Sequence, residues 1–160
     1  MDAILYLIPP NDLETLILEA ETPQDVLDSP FVQHSFFLGE AWQELNPLLS
    51  MNSDSAAALN YAIQAEHPLS ERRPGLSLAV HYNTVVRVAE IHQALQQLSV
   101  DEIKKRYLVT IAENAPEQEL KLAELKLLFL QLQDLYRDAV RHNLSVLSVI
   151  QDGIRLDKLP

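Results

Sequence analysis

Between Glu117 and His142, apolar residues recur at intervals of three and four. The chain then enters a continuous apolar stretch, Leu144-Ser145-Val146-Leu147-Ser148-Val149-Ile150. The first pattern is that of a long helix and the second that of a buried strand. Together they predict a mixed α/β fold with the C-terminal strand inside the core. On a helical wheel, Leu122, Leu125, Phe129, Leu132, Tyr136 and Ala139 form one continuous face. A second stripe, Leu120, Ala123, Leu127 and Leu130, lies nearly opposite and gives way to Asp134, Arg137, Asp138 and Arg141. The first half of this helix should therefore be covered on both sides and the second half on one. The elements of residues 40–65 are the expected cover, and a partner subunit is the alternative.

The rest of the chain alternates between short apolar runs and capped helical patterns. Ala3 to Ile8 reads as a buried strand halted by Pro9-Pro10. Asn11 and Glu14 have capping-box spacing, and Leu13, Leu16, Ile17 and Ala20 give the next helix one buried face. Thr22-Pro23 starts a second short helix that ends at Asp28-Ser29-Pro30, and Phe31 to Leu38 reads as a strand. After Gly39, the spacing of Ala41, Trp42, Leu45, Leu48 and Leu49 predicts a helix over 40–49, with Pro47 bending or ending it. Ser53 or Asp54 caps a predicted helix from Ala56 to Ala65, and His67 to Gly75 reads as a loop. Leu76 to Val80 is an inner strand. Thr84 caps a helix to Leu98 whose buried stripe is Val88, Ile91, Leu95 and Leu98. Ser99-Val100-Asp101-Glu102 is a capping box for a short helix through Tyr107, and Pro116 suits the first turn of the long helix. Asp152-Gly153 is a hairpin signal that would fold Ile154 to Leu159 back as an edge strand.

Composition narrows the partners more than it defines a chemistry. A length of 160 residues fits one domain, residues 1–160, with one sizeable core. The net charge is −11, from 23 acids against 12 bases. Such a field repels nucleic acid and anionic lipid, so the expected partner is a protein, a basic one included, a second copy, or a small molecule. Cysteine is absent, which removes disulfides, thiolate catalysis and cysteine zinc sites and fits a reducing compartment. The start is acidic, Met1-Asp2, and its apolar run is too short for a signal-peptide core. No stretch approaches the ~20 apolar residues of a membrane helix. A soluble cytoplasmic protein is the expectation.

The candidate chemistry is sparse. His34, His67, His81, His92 and His142 share no metal-ligand spacing, so no metal and no cofactor is expected. His92 borders the apolar stripe of its helix, as a partly buried, hydrogen-bonded imidazole would. Ser50, Ser53, Ser55 and Ser77 lack a nucleophile elbow, and Ser53 serves better as a cap. Glu40 and Glu44 share a helical face compatible with acid–base work, although solvated faces more often carry such pairs. Arg72-Arg73 is the one paired basic spot, on a proline-bounded loop. It can grip a carboxylate or phosphate, although a solvated loop tip is commoner.

The arrangement resembles a known family. Leu135-Tyr136-Arg137 through Ile150 is similar to the C-terminal helix-to-strand signature of the bacterial YfbM-like family, the domain of unknown function DUF1877. Trp42 with Leu45, Leu48 and Leu49 resembles its Trp-containing helix. Leu78 to Leu98, followed by Ser99 to Tyr107, resembles its strand, capped helix and short helix. The resemblance spans nearly the whole chain. It implies one compact α/β (α+β) domain in a cytoplasmic bacterial protein, with a small mixed sheet carrying helices on both faces, a three-layer α/β/α arrangement. Family members often carry Asp and Lys before the Trp and His after it, where this chain has Gly39, Glu40 and Asn46. That departure favours a non-catalytic binding or interaction module. The alternatives are an immunity or antitoxin-type protein neutralising a basic toxin, and an enzyme with a site near residues 39–50 and 76–82. The candidate contact residues are Glu40, Trp42, Asn46, Arg72, Arg73, His81, Leu120, Leu127 and Leu130.

Overall fold

The computed structural model describes residues 2–19, 33–51, 58–69, 78–110 and 116–151. The strands are β1 (Asp2–Ile8), β2 (Gln33–Gly39), β3 (His67–Pro68), β4 (Leu78–Asn83) and β5 (Ser145–Gln151). The helices are α1 (Pro10–Glu19), α2 (Trp42–Leu49), α3 (Val85–Gln96), α4 (Val100–Thr110) and α5 (Pro116–Arg141), with a 3₁₀ turn at Ala58–Tyr61. The strands form one sheet in the order β2-β1-β5-β4-β3. The last strand in sequence thus lies at the centre, as its unbroken apolar run predicts.

All four ladders are antiparallel, so the sheet is not of mixed direction. The physical reason is where β5 inserts. β1 and β4 run the same way, but β5 lies between them and opposes both. Side chains alternate across this sheet. Ala3, Leu5, Leu7, Val146 and Ile150 face the larger core, which holds the buried faces of α2, α3, α4 and α5. Ile8, Val80, Leu147 and Val149 face a smaller core closed by Leu13 and Leu16 of α1. The result is the three-layer α/β/α arrangement of an α+β domain.

Local chemistry sets most element ends. The Thr84 hydroxyl accepts the Arg87 N–H at the start of α3, and the Ser99 hydroxyl accepts the Glu102 N–H at the start of α4. Helix α5 ends with Asn143 at φ 55, where Leu144 N–H reaches Ala139 and Asn143 N–H reaches Val140. This is the Schellman pattern with asparagine in the left-handed position. Helix α2 stops two residues after Pro47, and its last carbonyls, Leu48 and Leu49, accept the Arg106 guanidinium at 2.7 and 3.1 Å.

Several expectations are corrected. Helix α1 begins at Pro10 rather than after Asn11, because Pro10 fits the first helical position and Leu13 N–H bonds to Pro9. Ile17 is exposed. Strand β4 continues past Val80 to Asn83, and His67–Pro68 pairs with it instead of looping free. Helix α3 ends at Gln96, two residues early, and α4 runs three residues past Tyr107. Of the helix expected over 56–65, the described residues 58–65 form a 3₁₀ turn, Ala58–Tyr61, followed by irregular backbone. The second helix after Thr22, the caps at Ser53 and Asp54, and the hairpin after Asp152 lie outside the described residues.

Candidate functional site

The most buried polar groups hold the chain together. Asn83, fully buried at the end of β4, accepts the Glu66 N–H at 2.9 Å and donates to the Tyr61 carbonyl at 2.8 Å. The Tyr136 hydroxyl donates to the Ala62 carbonyl at 2.6 Å and accepts from Asn83 at 3.4 Å. Ser148 accepts the Ala65 N–H at 3.0 Å. Three side chains from β4, α5 and β5 thus pair the backbone of residues 61–66. Residues 62–66 do not form an α-helix because these side chains take the N–H and C=O groups that a helix would pair with each other. Arg87 closes its outer side with a two-pronged bond to Glu66 at 2.8 and 3.0 Å, its guanidinium 5.1 Å over the Tyr61 ring. The guanidinium holds the Glu66 carboxyl below the usual carboxylate range. Burial pushes the Tyr136 hydroxyl strongly upward, so it acts as a neutral donor. Every group here is paired within the fold, and its chemistry is structural.

The predicted contact residues do not converge. Glu40 is exposed at the end of β2, and Trp42 is buried at the start of α2. Asn46 is half-buried, with its Oδ1 enclosed and meeting no donor. His81 sits half-buried on β4, opposite Ser148 of β5, which in turn faces Leu5 of β1. Strands β2 and β4 are separated by β1 and β5, about 14 Å at the usual strand spacing. Glu40 and His81 therefore stand on opposite sides of the sheet centre. Arg72 and Arg73 lie outside the described residues. Gly39 adopts φ +62, a conformation that Asp and Asn tolerate better than most residues. The turn geometry alone thus accounts for Gly or Asp at this position.

Helix α5 carries the most conspicuous surface. Leu125, Phe129, Leu132, Tyr136 and Ala139 are fully buried. On the other side Leu120, Leu127 and Leu130 are 77%, 56% and 44% exposed, and Ala123 is exposed with them. Among the described residues, the cover expected from 40–65 is therefore not found. The reason is that α2 and the 3₁₀ turn pack into the same core as the main face of α5. Past Leu130 the stripe meets an open cleft of about 330 Å³ between α3 and α5, lined by His92, Leu95, Gln96, Gln133, Asp134 and Arg137. Gln133 spends its amide on the Leu95 and Leu98 carbonyls, closing the end of α3. Asp134 and Arg137 pair at 2.8 Å. His92 Nδ1 is enclosed and meets no partner, contrary to the hydrogen-bonded imidazole expected. The sequence signals of this cleft were a histidine beside an apolar stripe and one glutamine near the main face of α5. Among the described residues, no group of three or more His, Asp or Glu side chains is placed to hold a metal. Nor is any helix among them long and apolar enough to cross a membrane.

The fold and its surfaces define an α+β domain organised around a central C-terminal strand, with one amphipathic helix left open on its second face. The chain belongs to the DUF1877 family, a domain of unknown function, whose model matches residues 1–149. It is similar in structure to a protein of unknown function, YfbM, from Escherichia coli. The TM-score is 0.69 at 17% identity, covering 94% of this chain and 99% of that one. No curated protein matches the chain.

Proposed function

We propose that this chain is a non-catalytic, cytoplasmic interaction module of the bacterial DUF1877 class, and that its contact face is the N-terminal half of α5, which takes an apolar helix of a protein partner. The observation that carries this reading is the pair of opposite faces on one helix. Residues such as Phe129 are fully buried, whereas Leu120 is 77% exposed. Contiguous exposed leucines on a rigid helix mark protein contact surfaces more often than they mark anything else. The separation of Glu40 from His81 and the internal pairing of the Asn83–Tyr136 network give no support to an enzyme. The test is capture of a partner from the native host, its identification by mass spectrometry, and titration of the purified pair by calorimetry. Binding should weaken at least about tenfold with Leu127→Glu, at unchanged circular dichroism. An identified partner that binds wild type and Leu127→Glu equally well defeats the reading.

The net charge of −11 favours a second reading, an immunity or antitoxin-type protein that neutralises a basic toxin. Such a complex would form faster at low salt and would tolerate Leu127→Glu.

A further inference from the structure

We draw no further inference here: the strongest candidate, the open cleft between α3 and α5 at His92, carries none, since its Asp134 and Arg137 pair with each other, its Gln133 amide is spent on the end of α3, and the enclosed His92 Nδ1 does not by itself select a ligand.

Discussion

A single buried hydroxyl shows how narrowly this fold is satisfied. Tyr136 donates to the Ala62 carbonyl at 2.6 Å and supports the Asn83 amide, in a place with no access to water. Tyr136→Phe keeps the ring and deletes the donor, so an enclosed carbonyl is left unpaired. The expected cost is about 1–3 kcal/mol in chemical denaturation, with little change of slope. A loss below a few tenths would mean that Ala62 finds another donor. Glu66 makes a prediction of different sign. Its carboxyl is held below its ordinary value of 4.5 by Arg87, so the pair stabilises the fold above that pH. The contribution disappears as pH falls through the lowered folded value. The stability gap between wild type and Glu66→Gln should therefore be largest near neutrality and close as acid titrates the carboxylate. A gap that widens in acid would contradict the assignment. None of these pairings was legible in the sequence. Asn83 bonds to residues 17, 22 and 53 positions away, and no local pattern encodes such distances.

At the scale of elements, legibility follows how local the determining forces are. The long helix, the caps at Thr84 and Ser99 and the central strand were readable, because periodicity and capping act within a few residues. The helix expected over 56–65 failed for the opposite reason, since Ser148, Asn83 and Tyr136 claim the backbone groups of residues 61–66 from across the molecule. The candidate site was legible only in part. The second stripe of α5 was visible as a pattern, but whether another element covered it depended on tertiary packing. The cleft at His92 needs α3 and α5 side by side, which a single helical wheel does not show. Two substitutions on the same helix separate its faces. Phe129→Ala should cost about 3–5 kcal/mol through lost burial and a residual cavity. Leu127→Glu, measured at concentrations where association is negligible, should change stability by no more than about 0.5 kcal/mol, because the side chain is already more than half in water. Equal costs at the two positions would mean that the stripe is part of the domain's own core.

The whole molecule carries an excess of eleven negative charges at neutral pH. Within one copy this excess acts against folding, because the compact state brings like charges closer than the unfolded chain does. Ion pairs such as Arg87 with Glu66 and Lys121 with Glu44 offset only part of it, since acids outnumber bases nearly two to one. Screening should therefore stabilise the monomer. At 0.01 M salt the Debye length of ~30 Å lets charges interact across the whole domain, whereas at 0.15 M it falls to ~8 Å and leaves mainly neighbouring pairs. The melting temperature should rise by a few degrees over this range of sodium chloride, equivalent to about 1 kcal/mol for a domain of this size. Most of the rise should come below about 0.15 M, because added salt then has little long-range repulsion left to remove. A continued linear rise at molar salt would indicate exclusion of the ions from the surface instead. A fall in melting temperature on adding salt would mean that the close pairs around Arg87 and Lys121 outweigh the excess charge. The acidic field would then be a weaker influence on this protein's partners than its composition implies.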